Sequence, residues 1–199
     1  MGYEEKIKRR FTRVFKKPGR KAILLDCSGS MEPLWNIAWR VMYHVIRRLY
    51  SPIAIIGFYN SVKYPEAYID TYGNAKLHDI WKILLAKYGK MRIDPEPVEA
   101  PIVFTGSTPL YDAIDYMLHS IPDHDIIVLT DGYENSSTRT RWLHESDNVF
   151  VIILHTGIRG TRDEETCKAR LMAVYPHIIV RNDQELEEKL QREVDRIEQ

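Results

Sequence analysis

The residues best suited to chemistry follow an apolar run near the amino terminus. The apolar run 22–25 is followed directly by the carboxylate Asp26, and two hydroxyls, Ser28 and Ser30, follow Asp26 at i+2 and i+4. Hard oxygen ligands of this kind suit Mg²⁺, Mn²⁺ or Ca²⁺ rather than zinc. A helix-like segment begins directly afterwards, so we expect the three side chains to gather on one tight turn at the carboxyl end of a strand.

Two later segments can complete the same site. Thr108 stands after a glycine at the start of a predicted helix, and Asp131 ends another buried strand in the run Leu129-Thr130-Asp131-Gly132. Ligands in open α/β sheets collect outside the carboxyl ends of the strands, where the strand order reverses. Asp26 and Asp131 therefore meet there if their strands are neighbours.

The donor set restricts what such a metal ion can do. Two carboxylates and three hydroxyls leave a divalent cation short of negative charge from the protein. An ion in this state is a good Lewis acid towards an incoming carboxylate, whereas an ion held by three or four carboxylates is not. An alternative interpretation remains open for the two serines, since serine commonly caps helix amino termini.

Apolar runs alternate with helical patterns along the chain. Most of the runs are nearly continuous Ile, Val and Leu, as in parallel strands buried on both faces. The pattern predicts strands at 22–26, 53–59, 125–130, 149–155 and 178–181, with a short run at 62–64 that can form a hairpin with the second. It predicts helices at 33–50, 74–88, 109–120, about 137–145, 162–175 and 183–199. This alternation favours an α/β, doubly wound sheet.

Over residues 20–182 the chain resembles the von Willebrand factor type A domain with an intact metal-ion-dependent adhesion site. Asp26, Ser28 and Ser30 match that family's Asp-x-Ser-x-Ser motif. Thr108 matches its single threonine, and Asp131 matches its late aspartate. The resemblance implies a Rossmann-like, mostly parallel central sheet with strand order 3-2-1-4-5-6, one antiparallel edge strand and helices on both faces.

The resemblance also implies how the site works. Ser28, Ser30 and often Thr108 touch Mg²⁺ directly, while Asp26 and Asp131 act through bound waters. A partner Asp or Glu supplies the open coordination position. Mn²⁺ or Ca²⁺ are alternatives to Mg²⁺ on ligand hardness alone.

Composition and charge bound the remaining possibilities. The chain has 199 residues, 44% of them apolar, and no formal net charge, which fits one domain and no global attraction to nucleic acid or membrane. Residues 1–21 nevertheless hold nine lysines and arginines against two glutamates. We therefore expect residues 1–20 to form a basic, solvated arm and residues 21–199 a single domain ending in the helix 183–199.

Cysteine usage and the apolar runs bear on location. Two cysteines make neither a disulfide framework nor a zinc site. The amino terminus has no apolar signal region, and the longest apolar runs fall far below the roughly 20 residues of a membrane span. These features predict a cytoplasmic protein.

The leading functional hypothesis is a non-enzymatic interaction module whose metal bridges to an acidic side chain of a protein partner. One alternative is a metal-dependent phosphohydrolase, but such chemistry needs a second carboxylate at i+2 from Asp26, where this chain has Ser28. Phosphate-binding loops rich in glycine are missing from the sequence. Another alternative is a scaffold that contacts nucleic acid through the basic arm. The sequence identifies neither the partner nor the oligomeric state.

Overall fold

The computed structural model describes residues 3–17, 19–49, 53–58, 108–134, 143–155, 157 and 160–198. Within these ranges five strands form one sheet in the order β2-β1-β3-β4-β5, and every neighbouring pair is parallel. The strands are β1 (Lys21–Asp26), β2 (Ile53–Phe58), β3 (Asp125–Thr130), β4 (Val149–Leu154) and β5 (His177–Val180).

Five α-helices accompany these strands in the same ranges. They are α1 (Tyr3–Phe11), α2 (Trp35–Arg48), α3 (Leu110–Ser120), α4 (Arg162–Val174) and α5 (Asp183–Glu198). A π-helical turn, Thr12–Lys16, continues α1, and a 3-10 helix, Gly29–Leu34, precedes α2. Helix α4 begins with a capping box, in which the Thr161 hydroxyl accepts from the N–H of Glu164 and the Glu164 carboxylate accepts from the N–H of Thr161.

Helices cover both faces of the sheet because successive strand residues point to opposite sides. On β3, Ile127 and Leu129 belong to a cluster with residues of α1, α2 and α5, whereas Ile126 and Val128 pack with α3 and α4. Each fully buried aliphatic side chain of this kind stabilises the fold by about 1.5–3 kcal/mol. Since the strands are apolar on both faces, they need cover on both sides.

The α/β class and the parallel sheet predicted from the sequence are confirmed. The five strands begin and end within a residue or so of their predicted bounds. The six-strand order with an antiparallel edge strand is not established, because the run 62–64 lies outside the described residues. The predicted helix 74–88 and most of the helix at 137–145 also lie outside them, and residues 143–145 are not helical.

The basic amino-terminal segment is not the solvated arm that its charge predicted. Residues 3–16 are helical, and Phe11, Val14 and Phe15 are at most 4% exposed within the core. The rings of Phe11 and Phe15 pack edge-on against Phe150 of β4, with centroids 6.4 and 5.8 Å away. Three apolar side chains at helical spacing outweigh the surrounding lysines and arginines, because these can remain at the surface while the apolar stripe is buried.

Acidic residues near the amino ends of the strands offset the positive charge of this segment. Arg9 and Arg10 form ion pairs with Asp147. Lys21 is only 1% exposed, and its Nζ lies 2.5 Å from Oδ2 of Asp125 and 2.9 Å from the carbonyl oxygen of Arg13. Removing one partner of a buried ion pair leaves the other charge without compensation, so this pair fixes where β1 and β3 begin.

We predict that Asp125→Asn destabilises the protein by about 3–5 kcal/mol, because it leaves the Lys21 ammonium buried without a counter-charge. Urea unfolding at neutral pH measures the change. Asp123→Asn is the matched control, since Asp123 is exposed in the turn just before β3, and its effect should stay within about 0.5 kcal/mol. Equal effects of the two substitutions would contradict the role given to the buried pair.

Polar contacts join α5 to α2. Nδ1 of His44 lies 2.8 Å from Oε1 of Glu187, and Arg48 donates hydrogen bonds to the same carboxylate. The hydrogen bond with His44, helped by Arg48, lowers the pKa of Glu187 to about 2.

No helix in the described ranges is long and apolar enough to cross a lipid bilayer.

We predict that Glu187→Gln lowers stability by about 1 kcal/mol at near-neutral pH, because it removes a charge-assisted contact that is only partly exposed. In the folded protein the pKa of Glu187 is lowered from 4.5 to about 2. The carboxylate therefore contributes its full share of the folding stability above pH 4.5 and loses it as the pH falls towards 2. Urea unfolding at about pH 6 and about pH 3 should therefore show a smaller difference between variant and parent at the lower pH. Glu188→Gln, at a more exposed position, is the control.

Candidate metal centre

The pairing of β1 with β3 brings the two predicted aspartates to one edge of the sheet. Asp26 is the last residue of β1, and Asp131 follows the last residue of β3. The two strands are parallel neighbours with Leu25 opposite Leu129. The strand that follows β1 in the chain, β2, pairs on its other side, so this is the point where the strand order reverses. The condition for the two aspartates to meet, that their strands are neighbours, is therefore met.

Hydrogen bonds hold the carboxylate of Asp26 in place. The residue is fully buried, and its Oδ1 accepts from the N–H of Ser28 at 2.9 Å. Its Oδ2 accepts from the hydroxyl of Thr130 at 2.6 Å, and that hydroxyl accepts in turn from the N–H of Gly132 at 3.0 Å. Both oxygens are thus oriented by groups on the two strand ends before any ligand is considered.

The two serine hydroxyls of the motif lie beside each other. Oγ of Ser28 is 3.1 Å from Oγ of Ser30. Ser28 is fully buried and Ser30 is exposed, so the pair runs from the interior to the surface. Ser28 immediately precedes the 3-10 helix, yet its side chain makes no capping hydrogen bond there. Capping of that helix therefore does not account for Ser28.

Asp131 carries an oxygen that the described residues do not satisfy. Its Oδ1 accepts from the N–H of Tyr133 at 3.1 Å. Its Oδ2 is buried and accepts no hydrogen bond from that part of the chain. Burial raises the pKa of Asp131, opposed by the Ser30 hydroxyl, the Tyr133 N–H and the charge of Lys168. A buried acceptor left over beside a polar cluster is a site where a cation or a water belongs.

The pKa of Asp26 shows how unfavourable this arrangement is for two anions. Burial, together with the negative charge of Asp131, raises it from 3.8 to about 7, although the hydrogen bonds from Thr130 and Ser28 act in the opposite direction. Two neighbouring carboxylates in a buried site cannot both ionise without cost. A divalent cation between them removes that cost, and so the donor set fits a hard metal ion.

Thr108 lies on a segment that is tied to the same edge. It is fully buried two residues before α3. The N–H of Tyr111, in the first turn of α3, donates to Oε2 of Glu134 at 2.8 Å. Glu134 stands three residues after Asp131, so this bond fastens the start of α3 to the segment that follows β3. Hydrogen bonds join Asp26 with Ser28 and Ser28 with Ser30, and the Ser30 hydroxyl acts to lower the pKa of Asp131.

Three residues that shape the site were not given a role from the sequence. Thr130 orients Asp26, and Glu134 anchors α3. Lys168, on α4, packs against Gly132, where an added Cβ would lie 3.1 Å from its Cγ. Gly132 also has a φ of +86°, which favours glycine. The Thr-Asp-Gly run was a signal for Thr130, whereas nothing in the spacing indicated Glu134 or Lys168.

The arrangement is an oxygen-rich edge with two buried acids and two adjacent hydroxyls, and the third hydroxyl, that of Thr108, is buried two residues before α3. Among the residues that shape it, the cation Lys168 partly balances Asp131. No protein-family model matches the chain, and no curated protein matches it.

We predict opposite effects of Asp131→Asn with and without a divalent cation. In EDTA and above neutral pH the variant should be about 1 kcal/mol more stable than the parent, since a buried charge is removed while the acceptor for Tyr133 is kept. At a Mg²⁺ concentration about a hundredfold above its dissociation constant, the parent should gain about 2.7 kcal/mol and the variant almost none. Thermal and urea unfolding measure both, with Asp123→Asn as the control. A parent protein that Mg²⁺ does not stabilise would contradict the metal assignment.

Proposed function

We propose that this chain is a non-enzymatic protein-interaction module of the von Willebrand factor type A kind, which binds Mg²⁺ and through it an acidic side chain of a protein partner. The observation that carries the proposal is the pair of buried carboxylates at adjacent strand ends, Asp26 and Asp131, with the unsatisfied Oδ2 of Asp131. Ser28, Ser30 and Thr108 would complete the ligand set with neutral oxygens.

The chemistry of the ligands supports a bridging role for the metal. Both oxygens of Asp26 already accept hydrogen bonds, which suits contact with the ion through water more than direct coordination. The hydroxyls of Ser28 and Ser30 carry no charge, so an ion that they hold directly keeps most of its charge for an outside ligand. Ser30 is exposed, so the site reaches the surface where a partner can approach.

The alternatives receive less support. A phosphohydrolase would need an acid/base group at i+2 from Asp26, where the buried Ser28 contacts Ser30. Binding of nucleic acid by the amino-terminal segment would compete with ion pairs that Arg9, Arg10 and Arg13 form with acids of the domain.

We also retain as proposals the sixth, antiparallel strand at 62–64 and a reducing, cytoplasmic location, with Cys27 and Cys167 as free thiols.

We predict that the partner is retained only when the metal site is intact. The tagged full chain, incubated with extract of its native host, should retain a protein in Mg²⁺ that it loses in EDTA, because the bridge needs the ion. Asp26→Ala should lose the same protein while keeping its fold by circular dichroism, and Asp123→Ala should retain it. Replacement of the partner's contacting Asp or Glu by the amide should lower its affinity at least tenfold, about 1.4 kcal/mol.

A partner that stays bound in EDTA, or that binds Asp26→Ala as well as the parent, would contradict the bridging role. Mg²⁺-dependent hydrolysis of a simple phosphate ester that is lost in Asp26→Asn would instead support the enzymatic alternative.

A further inference from the structure

A polar cleft of about 570 Å³ opens beside the candidate metal centre. It lies at the carboxyl ends of β4 and β5, since His155 follows β4 and Arg181 follows β5. Helices α4 and α5 supply its walls. Its lining includes Tyr133 and five charged side chains, which are Glu165, Lys168, Arg181, Glu185 and Lys189.

The cleft is continuous with the metal centre through two residues. Tyr133 lines the cleft, and its N–H donates to Oδ1 of Asp131. Lys168 lines the cleft too, and its side chain packs against Gly132, the residue after Asp131. A ligand bound at the metal centre on this side would therefore lie next to the cleft.

The two carboxylates that line the cleft are already engaged. Oε1 of Glu185 lies 2.7 Å from Nζ of Lys189, and its other oxygen accepts from the N–H of Arg181 at 2.8 Å. Oε1 of Glu165 accepts from the hydroxyl of Tyr133 and from the N–H of Gly160, both at 3.1 Å. Glu185 is thus paired with Lys189, whereas both of these donors to Glu165 are neutral. Among the described residues, the three cations that line the cleft outnumber its two acids.

Two cations that line the cleft, Lys168 and Arg181, form no direct ion pair among the described residues. The charge of Lys168 acts on Asp131 and that of Arg181 on Glu185, but only from beyond ion-pair distance. Lys168 is only 9% exposed, and its Nζ lies 4.8 Å from the centre of the Tyr133 ring. An ammonium group this far from bulk water is stabilised by an anion that hydrogen-bonds to it. Arg181 is exposed and can add a second, charge-assisted contact.

We propose that this cleft binds a second carboxylate on the same partner segment whose first carboxylate completes the metal site. The inference rests on the proposed function and specifies its partner as an acidic segment with two acids close together in sequence. Lys168 and Arg181 bind the second acid, and the ring of Tyr133 lies beneath the chain that links the two. Because Lys168 packs against the residue after Asp131, the spacing between the acids is short.

Synthetic peptides test this inference without a known partner. Each carries one Asp and one Glu in a glycine context, separated by about one to three glycines, which cover roughly 7–14 Å. The matched peptides replace Glu by Gln, and a further set replaces both acids by amides. Amide chemical shifts of the isotope-labelled full chain report binding at low ionic strength, in Mg²⁺ and in EDTA.

We predict that in Mg²⁺ the best two-acid peptide binds about five- to tenfold more tightly than its one-acid counterpart. Arg181→Gln should remove most of this advantage while the one-acid peptide still binds, since Arg181 has no part in the metal centre. Arg20→Gln is the control, because Arg20 is exposed at the opposite end of the sheet. In Arg20→Gln the two-acid peptide should bind more tightly than the one-acid peptide by the same factor as in the parent.

The outcomes separate this inference from the proposed function. Equal affinities of the two-acid and one-acid peptides, with binding still lost in EDTA, would overturn the second site and leave the metal bridge standing. An advantage that persists in Arg181→Gln would also overturn it, since the second acid would then bind elsewhere. Binding of either peptide that is unchanged in EDTA, or no binding of any peptide in Mg²⁺, would contradict the metal bridge as well.

Discussion

The burial of two like charges at neighbouring strand ends is the constraint on which the rest of this molecule depends. Asp26 and Asp131 are both fully buried, and the Thr130 and Ser28 bonds only partly offset the burial of Asp26. Such an arrangement lowers stability unless a cation occupies it. Buried charges without compensation occur in proteins mainly at functional sites. This edge of the sheet, rather than the fold as a whole, therefore indicates where the chain acts.

The charged residues at the two ends of the sheet differ in how far they are neutralised by ion pairs. At the amino end, Lys21, Arg13 and Asp125 neutralise one another within hydrogen-bonding distance. At the carboxyl end, Asp26 and Asp131 form no ion pair of this kind within the described ranges, and Lys168, whose charge acts on Asp131, lies over the ring of Tyr133. The apolar layers between the two ends hold the strands in register, so stability and ligand chemistry are provided by different parts of one sheet.

The sequence predicted the elements whose signal is local. Continuous Ile, Val and Leu runs gave the strands to within a residue or so, and helical spacing gave α3, α4 and α5. It did not predict that the segment 3–16 packs on the sheet, because Phe11, Val14 and Phe15 are few beside the nine basic residues of 1–21. Contacts between distant segments, such as Tyr111 with Glu134, leave no trace in spacing and had to come from coordinates.

The packing of Phe11 and Phe15 against Phe150 has a practical consequence for anyone preparing the protein. A boundary drawn at the first motif strand would discard residues 1–20 as a dispensable leader. Such a truncated product would present an apolar strip of β4 to water and leave Asp147 without its guanidinium partners. Exposed patches of this type promote self-association, so expression designs should retain the entire amino-terminal helix and attach purification handles beyond it.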